Sequence, residues 1–440
     1  PPTSPLPVTE AQSYLTASFT GTTFCGDLYA QHNSYAKTLS TVIMGAVQVE
    51  PEKSSKKKKK KLTSDPRPEG ACFLITCADS VIFPMGGGQP CDRGKLEVPS
   101  LGLTFQIHDS SNISNVCVLT AYTSTEVPDV GALVNLPVTM SVDWERRIDH
   151  MQQHTAQHVI SAIALDKFHL DTHSWTLTGP TEPTTVEFKL AENDETAESF
   201  TSLDALLSSS PFDDIERTAN GHIFANRKVT PSWLDVDSDE YKNTVRSRLL
   251  PKGFSGAIRV VEIDQVDKST CCGTHVASLS HLTAIKVLRL VKVGKNIVRL
   301  SFVSGQRILD FIANSLLHQN AIESVVSTPN LEDQVVRIQN LSLAKAKNEK
   351  TIASLWAQLA ILKAENLSKH AKANSFAVDD LGADLVDKDV YKNLASAVIE
   401  RAPGSTVFLL SGGLEAGFTF YMQGDAKVVD GNGKQVAAIL

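Results

Sequence analysis

Twelve histidines in 440 residues would give about a third of one His-x-x-x-His pair by chance. The chain has three: His150/His154, His154/His158 and His169/His173. Side chains four apart on a helix share a face, so His150, His154 and His158 form one stripe. Two neutral imidazoles at that spacing can hold a metal ion, but spacing does not choose which two. A second pair, Cys271 and His275, lies in CCGTH, where Gly273 permits a tight turn. A thiolate and an imidazole four residues apart are good ligands for Zn2+. One pair from a helix and one from a loop point to a shared metal site. A zinc protease needs Glu directly after its first His; here Thr155 follows His154, which rules that chemistry out.

A third feature is Pro84-Met85-Gly86-Gly87-Gly88-Gln89-Pro90. Three glycines bracketed by prolines make a loop without side chains, where backbone can approach another molecule closely. It is not a phosphate-binding P-loop, because Lys-Ser/Thr does not follow the glycines.

These residues must be held by a scaffold. Residues 37–142 read as short strands: TVIMGAVQV, CFLITC, SVIFP, LTFQIHD and NVCVLTAYT are apolar or β-branched runs cut by turn residues. That spacing suits a small β-barrel or sandwich, with Lys53 and the run Lys56–Lys61 projecting from one hairpin tip. RIDHMQQHTAQHVISAIALDKF has helical periodicity, with Asp143 as N-cap and Ile148, Met151, Val159, Ile163 and Leu165 on one broad apolar side. TTVEFKL, GAIRVVEI, IKVLRLVKV and NIVRLSFV read as strands, and ESFTSLDALLSS as a second helix. After Gly305 the pattern turns helical. Ile338, Leu341, Ile352, Leu355, Leu359 and Leu362 form a coiled-coil seam, with Lys345 and Asn348 in the same register. The helix over 306–326 is expected to fold back on it through a turn near Pro329. VFLLSGG and GFTFYMQG then return to strand, and the chain stops at VAAIL as a truncated chain would.

Composition sets the class. With 42% hydrophobic and 21% charged residues, most of the chain should be globular. No apolar run approaches the ~18 residues of a membrane helix, and PPTSPLPVTE has neither the basic start nor the apolar stretch of a signal peptide. The sequence begins without Met and reads as processed or excerpted. Seven cysteines, two of them adjacent, argue against a disulfide framework and for a reducing compartment. The expectation is therefore a cytoplasmic protein with no membrane contact. The net charge of −7 does not by itself suggest a nucleic-acid partner.

GGGQPCDRG, DHMQQHTAQHVIS, CCGTHV and IKVLRLVKVGKNIVRLSFVSGQR, in that order, resemble the editing domain of alanyl-tRNA synthetase. They are still more similar to its free-standing relatives, the AlaX or alanyl-tRNA editing proteins. VDWERRIDHMQQH and STCCGTHV look like the long form that carries a coiled coil. The resemblance implies an α+β multidomain chain. Residues 1–20 are a frayed N-terminus, and 21–142 a β-barrel with the Gly-rich loop and the lysine insertion. Residues 143–305 form a two-layer α/β zinc-containing editing domain, 306–375 a helical hairpin or coiled coil, and 376–440 a small C-terminal α/β part.

It also implies one Zn2+ per chain on His154, His158, Cys271 and His275, leaving His150 and Cys272 as supporting or packing residues. The activity implied is hydrolysis of the aminoacyl ester of tRNA(Ala) mischarged with serine, with glycine as a second candidate. Gly86, Gly87, Gly88 and Gln89 would form the loop at tRNA or active site. Thr155, Gln157 and the stretch Ser174–Thr178 are candidates for the wall that senses serine, Thr176 being the one with least behind it. SWTLTG is one residue longer than the related S-W-x-L-G pattern, and the Gly/Lys-rich stretch expected at the C-terminal end is not reached. No aminoacylation motif is present, so neither tRNA charging nor ATP binding is expected. The heptads can pair within one chain or between two, the latter giving a homodimer.

Two other readings compete. One is a zinc-stabilised RNA-binding module without catalysis, and the other a coiled-coil interaction protein with a vestigial editing fold. The complete ligand quartet beside a complete GGGQP favours the hydrolase. On that reading Lys56–Lys61 is a sequence-blind phosphate lure. Replacing all six lysines by serine is expected to raise KM for tRNA, flatten its salt dependence and leave turnover at saturating tRNA nearly unchanged. Steady-state kinetics over a salt series checks this, and an unchanged KM and slope would reduce the run to a spacer.

Overall fold

The computed structural model describes residues 5–17, 19–21, 27–50, 66–190, 211–246, 255–294, 296–370, 376–380, 388–413, 417–424 and 429. The lysine run and ESFTSLDALLSS lie outside them. The chain forms two compact units, Pro1–Leu316 and Leu317–Leu440.

The first unit opens with two short helices, α1 (Val8–Thr16) and α2 (Tyr29–His32). Helix α1 is not frayed: Ala11 and Leu15 are buried against Val47, Val49, Leu74 and Val118 of the sheet that follows. That sheet is a closed barrel of β1 (Thr38–Val49), β2 (Ala71–Cys77), β3 (Gly94–Val98), β4 (Leu103–Ile113), β5 (Val116–Thr123) and β6 (Pro137–Val142). The strands run in the order β1-β2-β5-β4-β3-β6. Alternate residues face inward, so Ile43, Phe73, Ile75, Leu96, Phe105, Leu119 and Met140 fill the interior. Closure pairs β1 with β6 and leaves no open edge.

SVIFP, expected as a strand, is a loop. Its side chains Val81, Ile82 and Phe83 are fully buried, but side chains rather than a ladder satisfy its backbone. Ser80 Oγ accepts from Ile82 N at 3.0 Å, Asp92 Oδ2 accepts from Phe83 N at 2.7 Å, and Val81 O accepts a hydrogen bond from Arg147 Nη2. The strands β3 and β6, not anticipated from sequence, complete the barrel instead.

The remainder of this unit runs α3 (Trp144–Phe168), β7 (Leu170–Thr176), β8 (Thr184–Leu190), α4 (Pro211–Phe224), β9 (Val229–Asp235), α5 (Asp239–Thr244), β10 (Ala257–Ile263), β11 (Asp267–Thr270), β12 (Ile285–Lys292) and β13 (Ile297–Ser304). Helix α4 has no counterpart in the sequence reading. Asp143 caps α3 as expected, accepting from Arg146 N at 3.3 Å. The strands form two antiparallel sheets, β12-β13-β8-β7 and β11-β10-β9, so a second sheet adds to the two layers expected. Helix α3 packs against strands of both, and Met151, Val159 and Ile160 share one core with Val186, Phe302 and Val261. This explains a further departure. An apolar stripe was expected on α3, yet every residue from His150 to Ala164 is buried.

Helix α6 (Gln306–Val326) starts in the first unit and ends in the second. The second unit continues with α7 (Leu331–His370), β14 (Phe376–Asp380), α8 (Lys388–Arg401), β15 (Thr406–Gly413) and β16 (Gly417–Gln423). Asn330, next to Pro329, starts α7 by accepting from Glu332 N at 2.8 Å. Ala360 and Ala364 of α7 pack on Tyr391, Leu394 and Val398 of α8 and on Val407 and Leu409 of β15. The seam residues Ile338, Leu341, Ile352, Leu355, Leu359 and Leu362 are exposed. Among the described residues no helix is long and apolar enough to cross a membrane.

Barrel and α3 are joined by a buried ion pair. Arg147 is wholly inaccessible; its Nε donates to Asp92 Oδ2 at 2.9 Å, its Nη2 to the same oxygen, and its Nη1 to Ser34 O at 3.0 Å. Removing one partner strands the other charge in the interior. Arg147→Met is expected to destabilise the first unit by roughly 3–5 kcal/mol, with Arg147→Met/Asp92→Asn recovering part of it. Urea unfolding followed by circular dichroism measures both.

Candidate metal centre

His154 and His158 stand one turn apart on α3, and Cys271 and His275 follow β11. The four ligand atoms lie within 4.8 Å of one another. Cys271 Sγ is 3.4 Å from His154 Nε2 and 3.2 Å from His275 Nε2. A zinc ion with bonds of about 2.3 Å to sulfur and 2.0–2.1 Å to nitrogen sets tetrahedral ligands roughly 3.5 Å apart. The two edges from Cys271 Sγ match that spacing, and the four atoms as a set are close enough to converge on one ion. Gly273 makes the approach possible, since a Cβ there would lie 2.2 Å from His154 Cε1.

Each imidazole is oriented through its other nitrogen. His154 Nδ1 lies 2.8 Å from Gln89 Oε1, and His275 Nδ1 lies 3.1 Å from Thr155 Oγ1. His158 Nδ1 lies 3.2 Å from Asp267 Oδ2 and 3.0 Å from Ser269 Oγ. With Nδ1 committed outward, Nε2 is left for the cluster, the arrangement by which partner groups prepare histidine ligands. Arg246 holds Asp267 in turn, through Nε at 3.0 Å and Nη2 at 2.8 Å.

The charges agree with a cation site. Burial opposes ionisation of Cys271, but the surrounding His154, His275 and His158 hold its thiol well below the ordinary range. Burial disfavours charge on His158 too, yet the Cys271 thiolate and Asp267 raise it to about 9. Burial drives His154 down and His275 down to about 3. Burial works against Asp267 as an anion, but its bonds to His158 and Arg246 bring it to about 2. Cys271 is thus pushed toward its thiolate, the form that binds a metal ion.

The cluster borders a cavity of about 210 Å³ whose walls include Gly87, Gln157, Trp175, Arg246 and Cys272. Gly87 and Gly88 both have positive φ, 60° and 87°, and Gly86 and Gln89 close the turn with mutual backbone bonds of 3.1 and 3.0 Å. A Cβ on Gly88 would lie 2.5 Å from Trp175 Nε1, which donates instead to Gly87 O at 3.1 Å. The barrel loop thus reaches the metal cluster, and Gln89 ties it there by donating to Thr274 Oγ1 at 2.9 Å.

The remaining sequence candidates separate. Gln157 is in the cavity wall, its Nε2 donating to Ser161 Oγ at 2.6 Å. Thr155 is fully buried and bonded to the CCGTH loop rather than exposed to the cavity. Thr176 is exposed and does not line the cavity, because successive strand residues face opposite ways and its neighbour Trp175 takes the inner side. His150 is buried outside the cluster, and its Nδ1 has no partner among the described residues. His169 is the C-cap residue of α3 and His173 is exposed on β7, so the two lie apart from the cluster. Sequence reasoning missed Gln89 as a support of His154, and it missed Asp267, Ser269, Arg246 and Arg259. Asp267, four residues before Cys271, and Arg259, a lone cation inside an apolar strand, were the available signals.

A barrel loop thus reaches a buried His/Cys cluster that borders a small cavity. Residues 258–301 match the family model described as the threonyl and alanyl tRNA synthetase second additional domain. The chain is 30% identical to alanyl-tRNA editing protein Aarsd1-A of Xenopus laevis, an alignment covering 84% of this chain and 81% of that protein. It is 30% identical to alanyl-tRNA editing protein Aarsd1 of Mus musculus, covering 93% and 89%. An alanine--tRNA ligase of Saccharolobus islandicus is 24% identical over 72% of this chain and 33% of its own. The chain belongs to the alanyl-tRNA editing protein family.

The register of the loop ligand is directly testable. Cys271 contributes its sulfur to the cluster, whereas Cys272 offers the fold its carbonyl, which accepts from Gln31 Nε2 at 2.8 Å. Cys271→Ala is expected to lose most bound zinc, and Cys272→Ala to keep it. Elemental analysis of both proteins, with circular dichroism as a folding control, reads the difference.

Proposed function

We propose that this enzyme is a trans-editing hydrolase that clears serine from mischarged tRNA(Ala), using one Zn2+ held by His154, His158, Cys271 and His275. The observation that carries the reading is the cavity: the ligand cluster faces a small chamber rather than solid core. Serine exceeds alanine by one hydroxyl, and an apolar pocket rejects an added hydroxyl by only about 10²-fold, so a second, hydroxyl-reading site is needed. The same reading includes glycine as a second amino acid, action in the cytoplasm, and pairing of two copies through the exposed seam of α7.

Bound zinc supplies a Lewis acid for the ester or an anchor for the amino group and hydroxyl of serine. The chain's own residues do the rest. Gln89, Thr155 and Asp267 hold the ligand rings in one orientation. The Gln157 amide nitrogen is engaged by Ser161, which leaves its carbonyl oxygen to accept from the serine hydroxyl. Gly87 and Gly88 let backbone stand where a side chain would narrow the chamber, and Trp175 closes over them. Hydrolysis breaks the acyl carbon–oxygen bond, giving serine and a free ribose hydroxyl.

Four protein ligands close a tetrahedral shell, as in structural sites, and this favours the second reading of a zinc-stabilised RNA-binding module. One assay separates them. Incubation with seryl-tRNA(Ala) is expected to release free serine, chelation to stop it, and added Zn2+ to restore it. A protein that binds the tRNA and releases no serine would establish the binding module.

A further inference from the structure

One wall of the cavity carries charge that the reading above leaves unused. Arg246 and Arg259 both line it, and among the described residues no Asp or Glu does. The two cations differ in what they can touch. Arg259 is 1% exposed, and its Nη atoms donate to the carbonyls of Cys271, Gly273 and Gln31 at 2.7, 2.9 and 3.1 Å. Its charge acts on the cavity through space. The Arg246 side chain is 33% exposed, and it grips Asp267 with Nε and Nη2 only. Its Nη1 has no acceptor among the described residues. A guanidinium that holds a carboxylate by one edge still presents N–H groups to a second anion.

Aminoacyl-tRNA is polar along its terminal nucleotide. The amino acid brings an ammonium, and the same ribose carries a phosphodiester at its 5′ position. The guanidinium N–H groups of Arg246 that Asp267 does not take suit the second and not the first. We propose that Arg246 binds the phosphodiester of the terminal adenosine and thereby positions the ester at the metal cluster. This rests on the editing reading. Arg246 is a positioning residue on this view, linked through Asp267 to His158.

The competing role is purely structural, with Arg246 serving only to hold Asp267. Two small substrates separate the roles: 3′-O-seryl-adenosine, and the same ester carrying a 5′-monophosphate. The wild-type, zinc-loaded enzyme is expected to prefer the phosphorylated ester by roughly tenfold or more in kcat/KM, the value of a charge-assisted hydrogen bond. Arg246→Gln is expected to abolish that preference, and Arg246→Lys to keep part of it. On seryl-tRNA(Ala), Arg246→Gln should raise KM and reduce the slope of log KM against log salt by about 0.7, one phosphate contact on a single strand. Zinc content accompanies each variant. A wild-type enzyme that cleaves both esters equally, or an Arg246→Gln protein with an unchanged salt slope, overturns this inference and leaves the editing reading intact. An enzyme inert on the esters and on seryl-tRNA(Ala) overturns both.

Discussion

The site depends on fixing a barrel loop against a helix to within a few tenths of an ångström, and a buried ion pair does this. Arg147 lies on α3 one turn before the first histidine ligand's turn, and its guanidinium is spent on Asp92, Val81 and Ser34 of the barrel side. Asp92 follows Gln89 by three residues and also takes Phe83 N. The contact that registers α3 on the barrel is therefore a few residues from the contact that registers Gln89 on His154. An apolar replacement could match the stability of such a pair, but not its directionality. Here direction matters, because a metal ligand must be aimed.

The second constraint is electrical. Five ionisable groups meet beside the cavity: the buried His154, His158 and His275, and the partly buried Cys271 and Asp267. Without pairing, such burial would neutralise them. The structure instead chains them, Arg246 to Asp267 to His158 to Cys271, so each charge faces its opposite. Thr155 and Gln89 add neutral partners that cost no charge and still fix the rings. A cation entering this chain would find a thiol biased toward its anion and three rings already turned.

Much of this was legible in the residues, and the limits were physical. The ligand pairs were visible because helix geometry ties His154 to His158 at a fixed spacing, and a tight loop ties Cys271 to His275. The choice against His150 was not visible from spacing, because three residues on one stripe look alike until tertiary packing buries one of them elsewhere. The barrel strands showed wherever turn residues cut apolar runs, but SVIFP misled, since an apolar run satisfied by Ser80, Asp92 and Arg147 has the composition of a strand without its ladder. Helix α4 was hidden by a polar sequence, PFDDIERTANGHIF, whose Ile215, Ala219 and Ile223 are buried at four-residue spacing. Supporting residues such as Asp267 and Arg246 were missed because long-range pairing leaves no periodic trace.

On the proposed reading, the selectivity of the chamber for serine would follow from its smallest parts. A site that must read one hydroxyl cannot use shape alone, because an empty hydroxyl-sized space admits the smaller side chain as well. It needs a polar wall whose atoms stay unpaired when the hydroxyl is missing. Gln157 meets that need only if it cannot turn away, and Ser161 prevents it: the Gln157 Nε2 is held at 2.6 Å, and Ser161 Oγ is itself held by Thr172 Oγ1 at 2.8 Å. A wall pinned by two successive hydrogen bonds does not relax around alanine. On the proposed editing reading, a Gln157 oxygen that cannot turn away would stay unpaired beside alanine, and this would be what spares correctly charged tRNA.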